Sequence, residues 1–267
     1  MKVKTLLSTF MASAALAGFA SSATGQIFTE DFDTIINGTT LTTSNTNLTY
    51  IRKGSSAPDI AAINPSSFGS GSSGSIQGIT TSLTGIGVRD SLPTSDVYTL
   101  SVDFRIDDVS AGDIVFGVGS GSSFTGNSTF STAQGLFFLQ SDSGNFERRT
   151  SSSWSNTGLT LQDNTLYSLH VVANGSSSSI TYGDSSVAAG KMDIYMNDEL
   201  LVNNQNVTNS LSADGFRIYS VSGASAEIDN IALYDSAVAV PEPSIYALLA
   251  GISVSYTHLR AHETFGY

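Results

Sequence analysis

The chain has 267 residues, of which 13% are charged, well below the roughly 25% of an ordinary globular domain. Lys and Arg number 11 against 23 Asp and Glu, and the net charge of −12 excludes the basic surface that nucleic acids require. The absence of cysteine excludes disulfides, thiolate zinc sites and a thiol nucleophile. With 40% hydrophobic residues the chain has the apolar surface needed to fold, and its length permits one large β domain.

The N-terminus carries the pattern of an export signal. Lys2 and Lys4 precede an apolar run over residues 6–20, and small residues follow it up to Gly25. This order of positive charge, short apolar run and small residues is typical of a secretory signal peptide. The sequence therefore predicts a signal peptide over residues 1–25. The alternative is that the same run forms the first helix of the fold.

Residues 26–239 have the periodicity of strands. Apolar and polar side chains alternate over residues 98–107, 167–174 and 191–197, as in a strand with one buried face. Further strands are predicted over residues 114–118, 135–140, 215–220 and 227–234. Since no stretch has ten residues of helical periodicity, the sequence predicts an all-β domain.

The segments between the predicted strands are rich in Ser, Gly, Thr and Asn. Residues 66–75 are an example, and the pair Asn197-Asp198 has the composition of a tight turn. Such segments bury little surface and predict exposed loops, with linkers between two domains as the alternative.

A short motif near the C-terminus has a specific resemblance. Pro241, Glu242 and Pro243 are followed by Ser244 and then by an apolar run that begins at Ile245 and ends near Val254. This resembles the PEP-CTERM sorting signal of exopolysaccharide-producing Gram-negative bacteria. The resemblance implies a sorting signal over residues 240–253, transient membrane anchoring through that segment and processing by an exosortase-type protease. It also implies a final location at the outer cell surface or in the extracellular matrix, unless the Pro-Glu-Pro sequence is a chance match.

The chain departs from that family after the motif. The apolar run continues for about 11 residues, or roughly 16 Å of helix, against a bilayer core of about 30 Å. Residues 254–267 resemble a translated sequencing-adapter read-through, so we interpret them as an artefactual tail. We accordingly expect the true gene to continue the apolar run to about 20 residues, followed by Arg or Lys.

Two segments resemble the paired terminal strands of concanavalin A-like (LamG-type) jelly rolls. They are residues 27–33 and 226–233, and the segments 166–174 and 190–201 are similar to the middle of that superfamily. The resemblance implies a two-sheet antiparallel jelly-roll sandwich over residues 26–239. The signal peptide and a truncated C-terminal apolar helix would flank it. Because this fold serves lectins, glycosidases and adhesion modules, it does not itself give a function.

One motif bears on whether the protein is an enzyme. Retaining glucanases of this superfamily carry Glu-x-Asp-x-x-Glu, and Glu227 and Asp229 match the first two carboxylates, but Ala232 occupies the third position. The segment is expected on the last strand rather than in the middle of a sheet. His170, the one histidine of residues 26–239, is expected at the surface or on an edge strand. The sequence therefore predicts no enzyme, with a glycoside hydrolase as the alternative.

Carbohydrate binding is the function that the sequence favours. Sugars stack on exposed aromatic rings and bind planar polar groups. Trp154 follows Arg148 and Arg149 in a polar stretch, and Tyr195 and Tyr219 lie on the polar faces of predicted strands. These residues are the predicted ligand site, with an extracellular polysaccharide as the partner. The alternatives are that Trp154 packs under its own loop, and that the protein is a structural matrix component without a ligand.

A structural calcium ion is the one cofactor considered. If the terminal strands pair, Asp31 and Asp229 come close together, and a divalent cation would relieve their repulsion. Related jelly-roll modules often hold calcium where their ends meet, so the resemblance supports this site. The alternative is that both carboxylates are solvated or cap turns.

Overall fold

The computed structural model describes residues 25–52, 60–63, 66–69, 71–77, 84–88, 91–120 and 134–240. The predicted signal peptide lies outside this part except for Gly25, and the sorting signal lies outside it except for Val240. The predicted tail at 254–267 lies outside it entirely. In the described part no helix is long and apolar enough to span a membrane.

The described residues form 17 strands. They are β1 (Gln26–Glu30), β2 (Tyr50–Arg52), β3 (Ala61–Ile63), β4 (Ser73–Gln77), β5 (Thr84–Val88), β6 (Val97–Ile106), β7 (Asp113–Gly119), β8 (Gly135–Asp142), β9 (Asn145–Arg149), β10 (Trp154–Thr160), β11 (Leu166–Asn174), β12 (Ile180–Tyr182), β13 (Ser185–Val187), β14 (Lys191–Met196), β15 (Glu199–Asn206), β16 (Gly215–Val221) and β17 (Ser225–Tyr234).

The strands pair into two antiparallel sheets and one small hairpin. The eight-stranded sheet has the order β15-β14-β11-β6-β17-β4-β3, with β1 also paired to β17. The seven-stranded sheet has the order β10-β9-β8-β7-β16-β5-β2, and β12 pairs with β13 separately. The predicted all-β, two-sheet sandwich is therefore confirmed.

The hydrophobic core lies between the two sheets. In β6 the alternating side chains of Tyr98, Leu100, Val102, Phe104 and Ile106 are all fully buried, as the period of two predicts. Across the interface, the ring of Phe104 lies 5.0 Å from that of Phe116 in the other sheet. Each such buried side chain contributes about 1.5–3 kcal/mol, which makes this layer the main stabilising feature of the fold.

The last strand lies inside the eight-stranded sheet. β17 pairs with β6 on one side and with β4 and β1 on the other. The register Glu30↔Ile231 confirms the predicted pairing of the terminal segments. The expectation that Glu227 and Asp229 lie away from the middle of a sheet was wrong, because strand order in space does not follow strand order in sequence.

The outer face of the eight-stranded sheet, which points away from the core, is covered in two places. A loop at residues 66–69 lies over the β17 and β6 side, where its serines bond to Glu227 and Asp229. Two segments cover the β11 and β14 side. One is the hairpin β12–β13, and the other is residues 235–240, which we call the C-terminal strap. Polar residues on this face are consequently less exposed than the alternation of the strands predicts.

Candidate functional site

Glu227 is a buried anion with four hydrogen-bond donors. Its Oε1 accepts a bond of 2.8 Å from the Ser67 amide and a second from the Ser73 hydroxyl. Its Oε2 accepts bonds from Ser67 Oγ at 2.6 Å and from Arg105 Nε at 3.2 Å. Burial by itself raises the pKa of Glu227, but these donors and the charge of Arg105 outweigh it and hold the pKa below its ordinary value. Glu227 therefore stays ionised.

Asp229, two residues along the same strand, is in a different electrostatic environment. Its side chain is buried and accepts bonds from Ser66 Oγ at 3.1 Å and from the Asn230 amide at 2.8 Å. Burial raises the pKa of Asp229 to about 7, and the carboxylates of Asp33 and Asp103 add to the increase. The two neighbouring carboxylates thus have pKa values shifted in opposite directions.

Opposite shifts of this kind are found in acid–base pairs, but here the geometry favours a structural role. A glycosidase must bring both carboxylates to the scissile bond, whereas Glu227 is 1% exposed and Asp229 is 4% exposed beneath the 66–69 loop. Ala232 supplies no third carboxylate. The pair holds the loop onto the sheet.

The predicted calcium site is not formed by Asp31 and Asp229. Asp31 is exposed, and its Oδ1 accepts a bond of 3.2 Å from the Asp33 amide in a local turn. The carboxylates that act on Asp229 are those of Asp33 and Asp103. The described residues contain no group of three Asp, Glu, His or Cys side chains that fits a metal ion, whereas calcium takes six to eight oxygen ligands. These residues therefore do not fit the ion.

Tyr195 and Tyr219 do not form the predicted stacking platform. Tyr219, in the seven-stranded sheet, is 3% exposed, and the Arg217 guanidinium lies 4.4 Å above its ring. Tyr195, in the other sheet, is half-buried beside the β12–β13 hairpin, where its hydroxyl lies 2.9 Å from that of Tyr182. The expectation was wrong because other side chains and segments cover the polar faces of both strands.

Trp154, Arg148 and Arg149 lie together at one edge of the sandwich. Trp154 is half-buried on β10, and the Arg149 guanidinium lies 5.3 Å from its ring centroid. Arg148 Nη2, on β9, donates a bond of 2.9 Å to Gln205 Oε1 on β15, the edge strand of the eight-stranded sheet, and so links the two sheets. The structure keeps this group separate from Tyr195 and Tyr219, because those residues are on β14 and β16.

His170 is neither at the surface nor on an edge strand, so that expectation was wrong. It is 6% exposed on β11, which lies between β6 and β14. Its Nε2 donates a bond of 3.0 Å to the Val238 carbonyl, and its Nδ1 is buried without a hydrogen-bond partner. Burial lowers the pKa of His170, although the Val238 carbonyl and the Asp198 charge oppose the change. A neutral His170 therefore fixes the C-terminal strap.

Two further contacts hold the strap. Thr99 Oγ1 donates to the Ser236 carbonyl at 2.7 Å and accepts from the Val238 amide at 3.0 Å. Between these bonds, Ala237 packs against the small cluster that contains Val172 and Tyr182. The segment that leads to Pro241 is thus part of the folded domain as far as Val238.

A cleft of about 740 Å³ lies at one end of the sandwich, and we call it the end cleft. Four segments form it: the chain that leads into the start of β6, the β11–β12 connection with the start of β12, the loop before β16 and the C-terminal strap. Its lining residues are Thr94, Ser95, Asp96, Val97, Ser176, Ile180, Thr181, Ser212, Asp235, Ser236 and Ala237. The volume is within the range of small-molecule sites, about 300–1,000 Å³.

Backbone hydrogen bonds fix the loops of the end cleft. Ser95 and Ala213 exchange two bonds, of 3.0 and 2.7 Å, and the Gly175 amide donates to the Asp96 carbonyl at 2.7 Å. A Cβ atom on Gly175 would lie 2.8 Å from the Leu211 carbonyl, so this close approach requires glycine. The polar lining is therefore held in place before any ligand arrives.

Sequence reasoning missed the end cleft. Its polar residues are spread over four separate segments between Thr94 and Ser236, and each segment has the ordinary composition of a loop. No motif or spacing marks them in the sequence. Only the folded chain brings them together.

The comparisons with known proteins concern the fold. No protein-family profile and no curated protein sequence matches the chain. A solved sialidase is similar with a TM-score of 0.50 and 10% identity, over 68% of this chain and 16% of that one. The binding domain of botulinum neurotoxin DC, solved with rat synaptotagmin II, has a TM-score of 0.50 and 11% identity, over 85% of this chain and 52% of that one.

The carbohydrate recognition domain of Emp46p in its metal-free form is a more distant match. Its TM-score is 0.40 with 13% identity, over 62% of this chain and 83% of that one. The chain thus spans only part of the sialidase and the toxin domain. At these identities, the likeness to the sialidase and the toxin domain is one of fold, a two-sheet β-sandwich of the jelly-roll type.

Proposed function

We propose that the chain is an exported, non-enzymatic carbohydrate-binding domain that acts at the cell surface or in an exopolysaccharide matrix. The end cleft carries this proposal, since it combines a ligand-sized volume with a polar lining on segments that backbone hydrogen bonds fix. Sugar hydroxyls exchange hydrogen bonds with water for bonds to such groups, and fixed groups lose little entropy on binding.

Two observations support the absence of catalysis. The carboxylate pair of β17 is covered by a loop, and His170 is buried under the strap. A reaction that needs an acid and a nucleophile therefore has no accessible pair at these positions. Among the matched structures, one is named a carbohydrate recognition domain and another a binding domain. The proposal itself stands on the cleft.

Export and sorting belong to the same proposal and rest on the sequence. The N-terminal signal pattern over residues 1–25 would direct secretion, and the motif Pro241-Glu242-Pro243 would recruit an exosortase-type protease. Replacing Glu242 and both prolines by Ala in the producing cell should leave a longer, membrane-associated precursor, detected by mass spectrometry of cell fractions. A variant processed and released like the wild type would contradict the sorting proposal.

Binding is tested with the protein purified from its host and a panel of polysaccharides that includes the host's own exopolysaccharide. We expect at least one glycan to retard the protein in affinity electrophoresis. Asp96→Ala, in the end cleft, should weaken that binding about tenfold, which is about 1.4 kcal/mol. Asp184→Ala is the matched control, because it removes the same charge from an exposed turn outside the cleft.

Two outcomes would overturn this assignment in different ways. If no glycan binds at high concentration, the protein is a structural matrix component, the alternative function. If Trp154→Ala abolishes binding while Asp96→Ala leaves it unchanged, the ligand binds at the β9–β10 edge instead of the end cleft. Circular dichroism of each variant checks that the fold is intact.

A further inference from the structure

The lining of the end cleft defines the charge of its ligand. The charged residues that line it are Asp96 and Asp235, and its described lining contains no Lys, Arg or His. The other polar side chains are Ser and Thr hydroxyls, and no aromatic ring lines the cleft. Affinity must therefore come from hydrogen bonds and charge rather than from stacking.

The two carboxylates belong to different segments that are fixed against each other. Asp96 accepts a short hydrogen bond from the Ser212 hydroxyl. The Asp235 amide donates to the Gly25 carbonyl at 2.9 Å, and the Asp235 carbonyl accepts from Ser95 Oγ at 3.2 Å. Ser95 is adjacent to Asp96 in the chain, so this bond joins the two walls of the cleft.

Two carboxylates in a cleft without a cationic lining residue favour a cationic ligand. No Lys, Arg or His among the described lining residues supplies the opposite charge, so a ligand cation would supply it. The net charge of −12 adds a long-range field that attracts cations and disfavours uronic or sialic acids. A neutral sugar would gain only hydrogen bonds that replace those with water, whereas bonds to charged groups are roughly twice as strong.

We propose that the end cleft binds an amine-bearing sugar, a hexosamine unit of a polysaccharide, whose ammonium group contacts Asp96 and Asp235. This inference rests on the proposed function. The Ser and Thr hydroxyls then bind the ring hydroxyls. An ammonium fits better than a divalent metal ion, because no group of three ligating side chains is present among the described residues.

Isothermal titration calorimetry of the host-purified protein tests this ligand class. The probes are a glucosamine tetrasaccharide, its fully N-acetylated counterpart and a uronic acid tetrasaccharide, compared at about pH 6 and low salt, where the amine is protonated. We expect the glucosamine oligomer to bind about tenfold more tightly than the acetylated one. Raising the salt concentration should reduce that preference, because the contact is between exposed charges.

Conservative variants separate charge from shape. Asp96→Asn and Asp235→Asn keep the side-chain size, and each should reduce the preference for the amine severalfold. Asp184→Asn removes an equal charge elsewhere and should leave the preference unchanged.

The outcomes distinguish this inference from the proposed function. Equal affinity for the amine-bearing and acetylated oligomers would overturn the inference and leave carbohydrate binding in place. Tighter binding of the uronic acid oligomer would overturn it as well. Binding of a simple diamine as tightly as the oligomer would show that the cleft recognises the amine without the sugar. No binding of any glycan would remove the proposed function itself.

Discussion

The outer face of the eight-stranded sheet has two covered halves that are held by different forces. In the acidic half, Glu227 and Asp229 bond to serines of the 66–69 loop. In the aromatic half, His170, Tyr182 and Tyr195 lie under the hairpin and the strap. The acidic half is thus closed by hydrogen bonds from a loop to two carboxylates, whereas the aromatic half combines apolar packing with hydrogen bonds of His170, Thr99 and Tyr182, of which the Tyr182 hydroxyl donates to the buried Asp193.

The difference matters for the response of the protein to pH. A carboxylate held by donors must lose its charge before its loop is released, whereas a buried neutral histidine must gain one. The acidic half contains groups whose pKa values shift in both directions, and the aromatic half contains a histidine whose pKa is lowered. Three substitutions test this contrast, in order of decreasing effect.

Removing Glu227 should have the largest effect on stability. Glu227→Ala leaves the fully buried Ser73 hydroxyl without this acceptor and removes the bonds that hold Ser67 and one of the partners of Arg105, which should cost about 3 kcal/mol. Urea denaturation at neutral pH measures this loss. Asp107→Ala is the matched control, since Asp107 also pairs with Arg105, at 3.0 Å, but its side chain is 45% exposed.

The control should cost less than about 1 kcal/mol, because exposed ion pairs contribute little. Equal losses of unfolding free energy for the two variants would show that burial does not decide how much the contacts of Glu227 stabilise the fold.

Asp229→Asn should change the pH dependence of stability. The folded pKa of about 7 is above the ordinary value of 3.8, so the folded state binds the proton more tightly. This group therefore makes the wild type more stable as the pH falls from about 8 to about 4. The full pKa shift corresponds to about 4 kcal/mol, which screening by solvent reduces to about 2 kcal/mol. The variant should lack that gain. Melting temperatures of both proteins across the pH range measure the difference, and parallel curves would contradict the raised pKa.

His170→Gln should have the smallest effect and the opposite sign. The folded pKa of His170 lies below its ordinary value of 6.5, so only the unfolded state takes up the proton as the pH falls below 6.5. The wild type therefore loses stability from about pH 6.5 downward, by about 1 kcal/mol, and the variant should not. Urea midpoints at about pH 7.5 and pH 5 give this difference. An equal loss in both proteins would place the acid sensitivity elsewhere.

The local sequence pattern was sufficient to predict the strands but not to predict which of their side chains are exposed. The alternation over 98–107 predicted β6, and the Asn197-Asp198 pair predicted the turn between β14 and β15, where both residues have positive φ. These features depend on side-chain period and backbone conformation, which act over a few residues. The predicted exposure of Tyr219 and His170 failed, because what covers a strand face comes from distant segments of the chain.

The sequence by itself determined an all-β domain, since hydrophobic periodicity fixes which side of each strand is buried. The pairing of the terminal segments in a sandwich was implied by the resemblance of residues 27–33 and 226–233 to the end strands of jelly rolls. Tertiary structure decided the position of β17 inside its sheet, the burial of Glu227 and Asp229, and the assembly of the end cleft from four separate segments. The physical reason is that loop residues carry no periodic signal. Their neighbours are set by the packing of the two sheets, which brings Asp96 and Asp235 into one cleft although they are 139 positions apart in the chain.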